Sequence, residues 1–243
     1  DQLSESEKTL IIIGGDGRFY NDKAIQCIVK IAAANAIKRV VIGQNGILST
    51  PAVSNLIRQN SAGGGVILSA SHNPGGPNGD FGIKFNNANG SPAPEVFTEA
   101  LYQASQNLEE YRIVDGGDVD LSSVGHSGLN GMGIDVIDSV IDYSALMQQS
   151  FDFSWMKTEF AEKRLSLVFD AMNAVTGPYA TSVFGHSLGA EVSNIINAIP
   201  LDDFGGEHPD PNLVHAKALI AAMSIDGAPL LGAASDGDGD RNL

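Results

Sequence analysis

The sequence predicts a tandem of two α/β domains. Three observations carry that expectation. Short runs of Ile, Val and Leu alternate with amphipathic stretches in a βαβ rhythm. The rhythm stops at residues 115–133 and then restarts. With 243 residues, 43% hydrophobic and 18% charged, the chain has the composition of a soluble globular protein with a sizeable core.

The elements follow in order. "TLIIIGGD" (9–16) reads as a buried strand, and "NDKAIQCIVKIAAANA" (21–36) as a helix with apolar residues three and four apart. "RVVIGQN" (39–45) is the next strand. "STPAVSNLIRQ" (49–59) starts a helix, with Thr50 as its expected cap and Pro51 in its first turn. "GGVILSA" (64–70) is a third strand, leading into the loop "SASHNPGG" (69–76). "FGIKFNN" (81–87) is a short strand, and residues 94–112 a long helix.

Residues 115–133, "DGGDVDLSSVGHSGLNGMG", are rich in Gly, Ser and Asp without periodicity, which predicts a flexible loop or linker. After a helical passage (137–162) come a strand (164–172), a helix (177–188), a strand (191–200), a helix (212–223) and a final strand (229–236). The expected domains are 1–140, carrying the serine loop, and 141–243, ending in the aspartate loop at 236–240. In open α/β sheets, sites gather at the carboxyl ends of strands. The serine loop and a second loop, "SDGDGDRN" (235–242), both fall there.

A net charge of -15 argues against nucleic acid or an anionic membrane surface as partner. No apolar run approaches the roughly eighteen residues of a membrane span. The single cysteine, Cys27, excludes an internal disulfide and fits a reducing, cytoplasmic compartment. The chain begins at Asp1 and reads as part of a longer protein.

The second loop carries metal chemistry. Asp236, Asp238 and Asp240 alternate with glycines that let the backbone curl, so their carboxylates can converge. They repel one another unless a cation or solvent intervenes. All-oxygen ligands suit a hard ion, Mg²⁺ or Ca²⁺. An acidic surface turn is the competing reading. A calcium EF-hand is not, because Arg241 stands where that loop needs its glycine. Arg241 makes more sense as a partner for a phosphate.

"GHSLG" (185–189) matches the nucleophile elbow of lipases, which requires a strand-to-helix turn. Here a helix precedes it and a strand follows. Gly189 therefore reads as a helix C-terminal glycine and Ser187 as a last-turn residue.

A serine without an evident base, a metal loop and an arginine suit phosphoryl transfer, which is largely positioning and charge neutralisation. "SASHNPGGPNGDFGIKFN" with "DGDGDRN" resembles the α-D-phosphohexomutases, in particular the eukaryotic-type phosphoglucomutase branch. "GGDGRFY", "IGQNGILSTPAVS", "NGSPAPE" and "DDFGGEHPDPNL" are similar to that branch too. The resemblance implies two tandem three-layer α/β domains with mixed sheets, of the phosphohexomutase type. It implies Ser71 as the phosphoryl carrier, with Asp236, Asp238 and Asp240 holding Mg²⁺ and a phosphoserine oxygen as a further ligand. His72 and Lys84 take acid/base and phosphate-contacting parts; Arg241, Arg18 and Asn73 are substrate- or phosphate-binding candidates. For Arg18, a salt bridge is the competing reading. The reaction implied is glucose 1-phosphate to glucose 6-phosphate through glucose 1,6-bisphosphate, with a sugar phosphate as the partner.

Ser69 stands where that family often has Thr. The resemblance covers the first two of the family's four domains. The early Thr-Ser-Gly-Leu-Arg segment, the third domain's sugar loop and the fourth domain's phosphate loop are absent from these 243 residues. The expectation for this segment alone is a phosphorylatable Ser71 with negligible turnover. The rival reading is a non-catalytic relative, a phosphoprotein of exocytosis or a junction scaffold. Loss of the serine or an aspartate would favour it, and all are intact.

Overall fold

The computed structural model describes residues 9–243, so the first eight residues of the expected 1–140 domain lie outside the described residues. The chain forms two compact units. Among the described residues, the first comprises 9–15, 20–68 and 82–139, and the second 16–19, 69–81 and 140–243.

In the first unit, the β-branched runs form β1 (Leu10–Gly15), β2 (Arg39–Ile47) and β3 (Gly64–Leu68). All six residues of β1 are buried, as expected of an inner parallel strand covered on both faces. β4 (Ile83–Asn87), β5 (Gly125–Leu129) and β6 (Met132–Ile137) complete a six-stranded sheet in the order β4-β3-β1-β2-β6-β5. β3, β1, β2 and β6 run parallel to their neighbours in that core, while β4 and β5 are antiparallel edges. α1 (Asn21–Ala34) lays Ile25 and Val29 on the face presented by Ile11, Ile13, Val40, Ile42 and Ile134. α2 (Thr50–Gln59) packs on the opposite face, where Gly65 leaves room for Val53 and Ile57. The result is three layers.

Three expectations need correction here. The cap of α2 is Ser49, whose hydroxyl accepts from Ala52 N at 3.3 Å, and Thr50 is already helical. α3 (Glu95–Gln106) ends well before residue 112 and buries none of its residues. The segment 115–133 is not a flexible linker. The side-chain amide of Gln26 both donates to Val119 O (2.9 Å) and accepts from Val119 N (2.8 Å), as a strand partner would. Leu121 enters the core, and β5 and β6 form a hairpin turned at Asn130 (φ 50°) and Gly131 (φ 83°). Positive φ at both turn residues matches the right-handed twist of a two-residue hairpin.

The second unit is built of shorter pieces. α4 (Ile141–Ser150) and α5 (Phe153–Ala161) divide the expected helical passage; Asp152 caps α5 by accepting from Trp155 N at 2.9 Å. β7 (Leu167–Asp170), β8 (Ile195–Ile196) and β9 (Leu231–Ala234) form a parallel sheet in the order β8-β7-β9. α6 (Thr176–Ala180) runs on as a π-helical stretch, Thr181–Ser187. Alternate residues of β7 bury on opposite sides, Phe169 with Ala180 and Val168 with Leu219 of α7 (Lys217–Met223). Gly189 has φ 82° just past the π-helical stretch, so Ser187 sits in a helix end, not at a strand-to-helix elbow. Among the described residues no helix is long and apolar enough to cross a membrane.

Candidate functional site

The serine loop, expected with the first domain, packs with the aspartate loop and the short segment 16–19 in the second unit. Ser71 is buried and has φ 55°, a left-handed conformation that costs a non-glycine residue about 1–2 kcal/mol. Both ends of its backbone are held. Its N–H donates to Ser69 Oγ at 2.8 Å, and its carbonyl accepts from Arg18 Nη2 at 3.0 Å. Its hydroxyl donates to Asp236 Oδ2 at 2.8 Å.

The aspartate loop follows β9 and turns back so that Ser235 bridges Asn242. Asp236 Oδ1 organises the turn, accepting from the backbone N–H groups of Gly239 (3.0 Å), Asp240 (3.1 Å) and Arg241 (3.1 Å). The two loop glycines act differently. Gly239 supplies φ 79°, whereas Gly237 permits close approach: a Cβ there would lie 2.3 Å from Ser71 O. Carboxylate oxygens of Asp236, Asp238 and Asp240 fall within 4.8 Å of one another, the first two residues buried and the third exposed. Burial, then the Asp238 carboxylate, push Asp236 up to about 6 against the hydrogen bonds from Ser71 and Arg241, with Asp240 adding to the rise. Such an all-oxygen set, charged and partly desolvated, fits a hard divalent cation.

The other expected residues are distributed as follows. Arg241 Nη1 lies 2.7 Å from His72 Nδ1. A guanidinium only donates, so Nδ1 accepts and the ring proton sits on Nε2. Asn73 Nδ2 donates to Asp80 Oδ2 at 2.9 Å. Lys84 lies on β4 of the first unit, opposite Ile67 in the ladder. Arg18 is 1% exposed and forms an ion pair with Asp16 at 2.8 Å. Its Nη1 donates to Asp80 O at 2.6 Å, and its guanidinium stands 5.3 Å from the Phe204 ring centroid.

Sequence reasoning missed Asp16 and Ser69. The carboxylate of Asp16 accepts from Arg18 N, Nε and Nη2 and from Ser69 Oγ at 2.7 Å. Burial pushes Asp16 up, opposed by Arg18 and Ser69. The available signal was an acid two residues before an arginine, in a glycine turn at the end of an all-apolar strand.

Comparison with known proteins fits this geometry. A model of the phosphoglucomutase/phosphomannomutase α/β/α domain I matches residues 1–112, and one of domain II matches residues 141–243. This chain belongs to the phosphoglucomutase/phosphomannomutase family. It is 51% identical over 243 residues to a phosphoglucomutase of Rhizobium radiobacter, covering all of this chain and 45% of the relative. It is 49% identical over 247 residues to phosphoglucomutase-1 of Oryctolagus cuniculus, covering 99% of this chain and 44% of the relative. The open form of the exocytosis-sensitive phosphoprotein pp63/parafusin (phosphoglucomutase) from Paramecium superposes with a TM-score of 0.91 at 43% identity. That match covers 97% of this chain and 45% of that structure. The chain therefore spans less than half the length of these family members. The α/β domains expected from the sequence are those of the family, and the family implies a metal cofactor for which the three aspartates are the candidate ligands.

Proposed function

We propose that this chain supplies the phosphoserine and the metal-binding loop of a phosphoglucomutase, which interconverts glucose 1-phosphate and glucose 6-phosphate. The observation that carries this reading is the 2.8 Å hydrogen bond from Ser71 Oγ to Asp236 Oδ2, at the edge of the carboxylate trio. It sets a phosphorylatable hydroxyl beside a cation site. The relatives named phosphoglucomutase at about half identity support the same assignment.

Asp236, Asp238 and Asp240 would hold Mg²⁺, whose chemistry is to offset the charge of the phosphoryl group and orient it. In the forward direction, the phosphoryl group of phosphorylated Ser71 passes to the 6-hydroxyl of glucose 1-phosphate. The Oγ–P bond breaks, a sugar O–P bond forms, and the proton ends on Ser71 Oγ. Glucose 1,6-bisphosphate then turns over and returns its 1-phosphoryl group to Ser71, leaving glucose 6-phosphate. In the return transfer the O–P bond at the sugar 1-oxygen breaks, the Oγ–P bond re-forms, and the Ser71 hydroxyl proton, oriented beforehand by its hydrogen bond to Asp236 Oδ2, ends on the sugar 1-oxygen.

A phosphoserine carries about two negative charges, so a second phosphate needs cations nearby. Arg241, with its side chain half exposed, and the Nε2–H of His72 are the donors this unit offers. Asn73 is a further proposed substrate contact, and Lys84 keeps the acid/base or phosphate-contacting part that the family resemblance implies. The single Cys27 supports a cytoplasmic location. The 243-residue chain alone is expected to accept phosphate on Ser71 with negligible mutase turnover.

The test is the intact mass before and after incubation with glucose 1,6-bisphosphate and Mg²⁺. The expected result is a species heavier by roughly 80 Da, one phosphoryl group mapping to Ser71 and missing in Ser71→Ala. Uptake that persists in Ser71→Ala would overturn the phosphoserine assignment, and near-normal turnover by the chain alone would overturn the need for further domains.

A further inference from the structure

We propose that Asp16 is the positioning residue for Ser71, gripping the serine peptide from both sides through Ser69 and Arg18. The inference rests on the reading of Ser71 as phosphoryl carrier, and it gives Arg18 a structural part in place of phosphate contact. Two chains of hydrogen bonds leave one carboxylate. Through the first, Asp16 Oδ2 accepts the Ser69 hydroxyl proton at 2.7 Å, which turns the lone pairs of Ser69 Oγ toward the Ser71 N–H, 2.8 Å away. Through the second, Asp16 fixes the Arg18 guanidinium by Nε and Nη2, and the same Nη2 donates to Ser71 O at 3.0 Å.

The two chains converge on one residue in a left-handed conformation that serine does not favour. A peptide clamped at its N–H and its carbonyl cannot rotate, so the direction of Cα–Cβ is set and Oγ is delivered to Asp236 Oδ2. The clamp reaches further along the loop, because Arg18 Nη1 also holds Asp80 O, and Asp80 in turn accepts from Asn73. Arg18 is 1% exposed and Asp16 wholly buried. A guanidinium so enclosed, neutralised by its own carboxylate and engaged with two carbonyls, is suited to hold backbone rather than to meet an incoming phosphate. The alternating partners also explain why a hydroxyl is needed at position 69. Only a group that donates to Asp16 and accepts from Ser71 N–H completes the first chain.

Four variants of the chain separate the possibilities: Asp16→Asn, Ser69→Ala, Ser69→Thr and Ser71→Ala. Two readouts are taken on each folded variant, with its thermal midpoint recorded: hydrogen exchange at the residue 71 amide by NMR, and the rate of phosphate uptake from glucose 1,6-bisphosphate with Mg²⁺. In Asp16→Asn and Ser69→Ala the Ser71 amide should exchange at least about tenfold faster, and uptake should slow on the order of 100-fold, the penalty of a reacting atom misplaced by about 1 Å. Ser69→Thr keeps the hydroxyl and should restore both readouts, which a loss of packing alone would not do. Should Asp16→Asn fail to fold, Ser69→Ala cuts the same tie by deleting one oxygen.

Unchanged protection of the Ser71 amide in folded Asp16→Asn and Ser69→Ala would overturn the proposal, as would unchanged uptake. If the unsubstituted chain itself takes up no phosphate on Ser71, the phosphoserine reading fails instead. The amide exchange then still decides whether Asp16 holds the peptide.

Discussion

The two units bury different things. Among the described residues, the first buries an apolar core and, beyond it, only uncharged polar groups: Asn21, Gln26, Ser49, Asn55 and Asn86. Every buried charged side chain among the described residues, namely Asp16, Arg18, Asp170, Asp236 and Asp238, belongs to the second. A charge removed from water is costly unless it is paired and hydrogen-bonded, and an apolar replacement is often as stable. The first unit follows that preference throughout. The second departs from it in the two loops and the short segment around Ser71, and once more at Asp170, the last residue of β7, which accepts from Met172 N and Asn197 Nδ2 at 2.9 Å. Four of its five buried charges therefore lie where the proposed chemistry uses them, the fifth braces backbone at a strand end, and the first unit can be understood by packing alone.

The strongest way to break this division is to damage the first unit's core. Ile134 of β6 is fully buried among Ile11, Ile13, Ile25 and Val29. Ile134→Ala should cost about 2–5 kcal/mol of stability, read from urea unfolding. At a temperature where the variant stays folded, phosphate uptake on Ser71 should keep its original rate. A slowing comparable to that of Asp16→Asn would mean the first unit does more than support the fold.

A smaller change in the second unit should do the reverse. Gly237→Ala adds one methyl group 2.3 Å from Ser71 O and 3.3 Å from Pro209 Cγ. The nearer neighbour is backbone, so it cannot step aside as a flexible side chain would. The expected cost is about 1–3 kcal/mol, the range for overpacking, but uptake on Ser71 should fall far more than stability does. Gly125→Ala in β5, where a Cβ meets nothing within 4 Å, is the paired control in the first unit. If both glycine variants behaved alike, close approach to Ser71 would not be the reason for Gly237.

The same contrast governs what could be read from the sequence. β1, β2 and β3 were legible because inner parallel strands are continuous apolar runs, and "LIIIGG" has few other uses. The hairpin of β5 and β6 was not, although "NG" at 130–131 is a strong local turn signal. Its strands are masked by glycine, with Gly125, Gly128 and Gly133 where β-branched residues would announce a ladder, and β5 is almost wholly exposed. β8 has only two residues, too few for a period, and the expected strand 191–200 is mostly a 3₁₀ turn and loop. In the site, Ser71 and the three aspartates were legible from residue type and spacing. Asp16 and Ser69 were not, because a clamp on backbone groups depends on where residues 16–18 and 69–71 meet in space. Sequence carries no distance between them.

The first unit does carry one organised set of charges, and it lies at the surface. Asp135 of β6 accepts from His126 Nδ1 at 2.6 Å and from Arg39 Nε, with both partners more than half exposed. Burial tends to raise its carboxyl, but the hydrogen bonds and charges of His126 and Arg39 outweigh that and hold it below the usual 3.8. A carboxyl depressed in the folded state adds stability that is fully present above its unfolded value and is lost as pH falls through the folded one. With its partners solvated, the contribution should stay under about 1 kcal/mol. The thermal midpoint of Asp135→Asn should therefore lie slightly below that of the unsubstituted chain at pH 7, and the gap should close as pH falls through the depressed folded value of Asp135. The unsubstituted chain loses the same ionised group there. A gap that persisted unchanged in acid would assign the loss to packing, and a gap as large as that of Ile134→Ala would mean that charge organises the first unit as well as the second.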